Sequence, residues 1–118
     1  MKEQFQARML QIHFTEADKW QRELLYKAIV AKCQDLGMAG AIVYRGLKGF
    51  GASARIYHAR SLSISKNAPI MVNVIDTEGQ IQNLLPHLDR MIEGGLVASS
   101  TVEVIRYSRG MQGSAEPT

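Results

Sequence analysis

Two stretches of helical periodicity, each bracketed by short apolar runs, constrain this chain more than any other feature. Trp20, Leu24, Leu25, Ala28, Ile29 and Leu36 recur at spacings that make one wide apolar stripe, and Ile81, Leu84, Leu85, Leu88, Met91 and Ile92 make a second. Such a stripe must be buried against another layer. Thr15-x-x-Asp18 reads as a capping-box variant that opens the first helix, about 16–36, and Gly37 as the left-handed residue that ends it. Thr77-x-x-Gln80 is a full capping box for the second helix, which Gly94 and Gly95 terminate. Pro86 lies inside that helix and predicts a kink, because it removes one backbone donor.

Four strands fill the remaining positions: 7–14, 39–46, 70–75 and 99–107. In the first, Leu10, Ile12 and Phe14 share one face while Met9, Gln11 and His13 share the other. The first face wants a helix over it; the second is mixed and suits solvent or a neighbouring subunit. The order strand, helix, strand, strand, helix, strand predicts an α+β fold of the ferredoxin-like kind, a four-stranded antiparallel sheet with both helices on one face. At 118 residues there is room for one core, so residues 1–109 are expected to form a single domain and 110–118 a frayed tail. The 46% apolar and 21% charged content excludes disordered, collagen-like and disulfide-scaffold classes. No apolar run approaches the roughly 18–20 residues that span a bilayer. The first residues lack the apolar core of a secretory signal, and Cys33 has no partner, so a soluble cytoplasmic protein is expected.

Charge is distributed unevenly. Between Asp35 and Asp76 there is no acidic residue, yet the interval holds Arg45, Lys48, Arg55, Arg60 and Lys66, with His58 among them. These basic residues outweigh the whole-chain net charge of +3, so the rest of the chain is mildly acidic. The asymmetry points to an anionic partner, or else to a loop charged for solubility. The same interval is the connection between the second and third strands, about 47–68, where a hairpin needs about 2–5 residues. Long connections of this kind carry function or motion. Within it, Gly46-x-x-Gly49-x-Gly51 can present backbone N–H groups to a phosphate, or can act only as a hinge. Arg55 can pair bidentately with phosphate, and His58 titrates near neutrality. The candidate ligand-binding residues are therefore Arg45, Gly46, Lys48, Gly49, Gly51, Arg55 and His58.

Other chemistries find less support. No Gly-Lys-Ser/Thr follows the glycines, so they are not a Walker loop, and no helix opens after them as a dinucleotide fingerprint requires. Lys48-Gly49-Phe50-Gly51 matches the start of an RNA-recognition motif. Ala52, Ser53 and Arg55 then stand where stacking aromatic and apolar residues are required, so no nucleic-acid partner is expected. His13, His58, His87 and Cys33 have no metal-ligand spacing. Glu16, Asp18 and Glu23 read as the cap and solvated face of the first helix. No nucleophile–base arrangement stands out, and neither catalysis nor a cofactor is expected.

Several of these segments resemble domain-of-unknown-function family 190. They are Thr15…Trp20…Leu24-Leu25-Tyr26 with Leu36-Gly37-Met38-Ala39-Gly40-Ala41, Arg45-Gly46-Leu47-Lys48-Gly49-Phe50-Gly51 with Ile56-Tyr57-His58, Pro69 to Thr77, and Leu85-Pro86 with Gly95-Leu96-Val97. That family is similar in fold to the PII signal-transduction superfamily. The resemblance implies a homotrimer and a long loop like the PII T-loop. It also implies a small anionic effector, most often an adenine nucleotide, bound between subunits near the loop's base. A regulatory link to a membrane transport protein is implied as well, so a ligand-free adaptor whose basic loop docks on such a partner is the alternative reading. Where PII proteins carry a glycine-rich basic phosphate loop before the second helix, this chain has Asp76-Thr77-Glu78. The anion contacts would then fall to residues 45–58.

Overall fold

The structure is a computed structural model that describes residues 1–49, the backbone of 57–58, and 67–109. In chain order the elements are β1 (Lys2–Thr15), β2 (Lys19–Trp20), β3 (Glu23–Leu24), α1 (Leu25–Asp35), β4 (Ala41–Arg45), β5 (Lys48–Gly49), β6 (Tyr57–His58), β7 (Pro69–Asp76), α2 (Glu78–Met91) and β8 (Leu96–Tyr107). The four long strands form one sheet in the order β4-β7-β1-β8, antiparallel throughout. β1 lies between β7 and β8 although it comes first in the chain, as two interleaved βαβ units require. This is the ferredoxin-like α+β arrangement.

Strand alternation decides where the core lies. Ile12 pairs with Val72, which pairs with Val43; Leu10 pairs with Val74, which pairs with Ala41. These rows face the helices, and Leu25, Ala28, Ile29 and Cys33 of α1 meet Ile81, Leu84, Leu88 and Met91 of α2 above them. Ile12, Ile29, Val72, Val74, Ile81 and Leu84 are completely buried. Truncating any of the larger ones to alanine costs about 2–5 kcal/mol.

The first helix is shorter than its periodicity predicts. It starts at Leu25, and Leu24 supplies no side-chain cap. Residues 15–18 instead form a turn in which Asp18 N–H donates to Thr15 O and Asp18 Oδ2 accepts from Thr15 N–H. A tight hairpin of β2 and β3 follows, turning through Gln21 (φ 51°) and Arg22 (φ 70°). Trp20 still packs against the core, so the burial that helical spacing suggested is achieved by a hairpin. Glu16, Asp18 and Glu23 are accordingly not on a helix. Gly37, at φ 72°, ends α1 in the left-handed conformation expected of it. Thr77 caps α2, its hydroxyl accepting from Gln80 N–H, and Pro86 lies inside that helix.

The first and last strands are longer than expected. β1 and β8 pair from His13–Leu96 out to Lys2–Tyr107, whereas β7 joins β1 only from Arg8 onward. Residues 2–7 and 102–107 therefore make a two-stranded ribbon. Arg106 lies over the Phe5 ring at 5.1 Å and pairs with Glu3.

Candidate functional site

The site expected from sequence lies where the chain leaves β4 and returns into β7. Arg45 ends β4 in the row Phe14–Ile70–Arg45, so it has the parity of the core-facing Val43 and Ala41. A guanidinium at the end of such a row needs a carboxylate or water. It finds Glu16: Arg45 Nη2 donates to Glu16 Oε1 at 2.8 Å and Nε to the same oxygen at 3.2 Å. The Arg45 side chain remains 55% exposed while that of Glu16 is only 17% exposed. Glu16 also donates its backbone N–H to Ala68 O at 2.8 Å, so one residue touches both ends of the connection.

Gly46 follows directly. Its N–H donates to Pro69 O at 2.7 Å, and a Cβ there would stand 3.1 Å from Pro69 Cγ. Close packing on Pro69 accounts for this glycine without a ligand. Gly49 has ordinary space, with Pro69 Cγ at 3.4 Å. Lys48 is exposed and pairs in register with His58, and Gly49 pairs with Tyr57. The connection thus begins as a two-stranded hairpin with Lys48 and His58 opposite one another. The structure brings together Arg45, Gly46, Lys48 and Gly49 and places the His58 backbone beside them. Gly51 and Arg55 lie outside the described residues, as do Arg60, Lys66 and the 110–118 tail.

Glu16 is the residue that sequence reading missed, because the assumed helix hid it. The available signal was parity: a charged residue ending a core-facing row calls for a counter-charge just past the end of another strand of the same sheet.

The start of α2 is arranged differently. Asp76 Oδ1 accepts from Thr77 N–H at 2.7 Å and Oδ2 from Ala39 N–H at 2.8 Å. Glu78 takes Arg8 Nε at 2.6 Å and Gln82 Nε2 at 2.7 Å, and the Arg8 bond first, then Gln82, holds its carboxyl below the usual range. Arg8 Nη1 also donates to Ser99 Oγ at 2.8 Å. Two carboxylates stand where the helix dipole would favour an incoming anion. Their charge opposes a phosphate at that position, and among the described residues Arg45 and Lys48 are the basic groups at the start of the connection.

The opposite sheet face carries Ile42 and Tyr44 of β4, Met71, Asn73 and Ile75 of β7, Met9, Gln11 and His13 of β1, and Leu96 and Ala98 of β8, aligned by register. No helix covers it. Ile42 is 57% and Leu96 58% exposed. At its centre Asn73 Oδ1 is buried without a hydrogen-bond partner. Among the described residues no cluster of His, Cys, Asp and Glu could hold a metal ion, and no helix is long and apolar enough to cross a membrane.

Comparison with known proteins extends this geometry. Residues 7–104 match the model of domain-of-unknown-function family 190, described as an uncharacterised ACR family. A UPF0166 protein of Methanocaldococcus jannaschii is 32% identical over 101 residues, covering 85% of this chain and 93% of that one. A UPF0166 protein of Aquifex aeolicus is 26% identical over 98 residues, covering 83% and 92%. Among solved structures, CPII of Thiomonas intermedia superposes with a TM-score of 0.61 at 20% identity, covering 86% of this chain and 91% of that one. It is a nitrogen regulatory PII-like protein, bound there to ADP, AMP and bicarbonate. A protein of Thermus thermophilus described as PII-like and signalling superposes with a TM-score of 0.61 at 17% identity, covering 96% and 97%. At these identities the likeness is one of fold.

Proposed function

We propose that this chain, which belongs to domain-of-unknown-function family 190, is a cytoplasmic PII-like signalling protein that binds a small anionic metabolite, an adenine nucleotide, at the base of the β4–β7 connection. The observation that carries the reading is the run of Arg45, Lys48 and Gly49 where the connection leaves the sheet, with Lys48 opposite His58. A PII-like neighbour of the same fold was solved with ADP and AMP. Arg45 would supply a fork-shaped donor to the phosphate, Lys48 a point charge, and Gly49 a backbone without a side chain in the way. Arg55 and His58 would complete the contacts. The ligand would be read and not converted.

The uncovered sheet face supports a homotrimer. Exposed Ile42, Tyr44 and Leu96 share it, and Asn73 Oδ1 would gain a donor from a neighbouring copy. The adaptor reading keeps one observation of its own: Leu47, an apolar side chain 77% exposed beside Lys48, suits docking on a partner such as a membrane transport protein.

A thermal-shift series with ADP, AMP, adenosine and inorganic phosphate tests the proposal. A ligand present at a hundred times its Kd stabilises by about 2.7 kcal/mol, a readily measured shift. Stabilisation by ADP or AMP and little by adenosine is expected. No response to either nucleotide overturns the reading and leaves the adaptor.

A further inference from the structure

We infer that Glu16 is a built-in competitor for the anion, occupying Arg45 until a ligand phosphate takes its place. The inference rests on the proposed anion site and adds to it the residue that sets its affinity. Glu16 Oε1 receives two N–H groups of the same guanidinium, Nη2 at 2.8 Å and Nε at 3.2 Å. An oxyanion of a ligand would seek that same edge, since both donors already point to one acceptor. The carboxylate is mostly buried whereas the guanidinium is half-exposed, so Arg45 can turn its Nε–Nη2 edge from Glu16 to an anion that arrives from solvent.

Position makes the competition consequential. The Glu16 side chain holds Arg45, where the chain departs, and its backbone N–H holds Ala68 O, where the chain returns. Gly46 N–H to Pro69 O closes the same base one residue further along on each side. Transfer of Arg45 from Glu16 to a ligand therefore removes the side-chain tie across the base and keeps the backbone ones. Anion capture is thereby coupled to the geometry of the connection.

The test uses inorganic pyrophosphate and ADP as probes, titrated against the full chain while following the Arg45 Nε–H resonance. Glu16→Gln keeps the size and one acceptor oxygen but removes the charge. It is expected to bind pyrophosphate about three- to tenfold more tightly than the parent, the scale of a partly exposed ion pair. Glu93→Gln makes the same change in net charge elsewhere and should give no gain. Glu16→Asp shortens the reach to Arg45 and should give an intermediate gain, which decides the matter should Glu16→Gln not fold. In an Arg45→Ala background the gain from Glu16→Gln should vanish. A gain no larger than that of Glu93→Gln, or one that survives without Arg45, overturns the inference. If pyrophosphate shows the expected pattern while ADP binds neither parent nor variant, the competition stands and the nucleotide reading fails.

Discussion

Gln80 Nε2 donates to the carbonyl oxygens of both Leu36 and Gly37 at 3.2 Å, so the first turn of α2 closes the last turn of α1. The final carbonyls of a helix have no partners within it, and here a side chain from the second helix supplies one. Asp76 adds to the junction by accepting from Ala39 N–H. Gln80→Ala leaves these carbonyls to water and should lower stability by about 1–2 kcal/mol, the scale of lost capping and hydrogen bonds. Urea denaturation checks it, with an unchanged m-value expected.

The capping box Thr77-x-x-Gln80 illustrates how sequence and structure part company. The forward half forms, since Gln80 N–H donates to Thr77 Oγ1 at 3.3 Å. The return half does not: Asp76 Oδ1 takes the Thr77 N–H and frees the Gln80 side chain for α1. The start of α2 and the core-facing Leu10, Ile12 and Phe14 were legible because they rest on local capping and periodicity, and the four-stranded antiparallel sheet followed from the order of elements. The β2–β3 hairpin was not, because Gln21 and Arg22 carry none of the glycine or asparagine that marks such a turn. The early start of β1 escaped for a different reason, since the mostly polar residues 2–6 leave little alternation to read. Of the site, the basic cluster was legible in charge and length alone, whereas the Glu16 contact depends on tertiary placement.

That hairpin should be open to improvement. Two-residue hairpin loops with positive φ at both central positions favour Asn-Gly, and other residues there cost about 1–2 kcal/mol each. Replacing Gln21 by Asn and Arg22 by Gly together should raise stability by about 1 kcal/mol, after the entropic cost of a glycine in the unfolded chain. Thermal unfolding of the double variant measures it, and a lower Tm would count against the turn geometry.

Cys33 offers a pH test. Burial, with a smaller contribution from the charge of Asp76, pushes its thiol up to about 11 from 9.0. A raised pKa means that the folded state holds the proton when the unfolded state has lost it. The associated stability is complete below about pH 9 and disappears as pH rises through about 11. The loss should be about 2–3 kcal/mol, and Cys33→Ala should abolish that slope while lowering stability at neutral pH. Urea midpoints from pH 8 to 11 separate the two effects, and iodoacetamide should label the native thiol slowly.

The uncovered sheet face makes its own prediction. Tyr44→Asp, or Ile42→Asp, places a charge on that face without touching the helix-covered core. Light scattering of the parent should give the mass of three chains, and either variant should give that of one, because an unpaired carboxylate buried in an apolar interface costs several kcal/mol. A parent of monomer mass would remove the homotrimer.

Calorimetric titration of ADP into the parent and into Arg55→Ala and Arg45→Ala variants shows whether these guanidinium groups hold the nucleotide. A phosphate held by these guanidinium groups predicts saturable binding to the parent. Losing one charge-assisted donor should cost about 1.5–3 kcal/mol, roughly ten- to a hundredfold in Kd. Arg45 must give up Glu16 before it can hold a phosphate, so its loss should be the smaller of the two. Binding equal to the parent in both variants would place the ligand elsewhere, and the absence of any heat with the parent would contradict nucleotide recognition at this site.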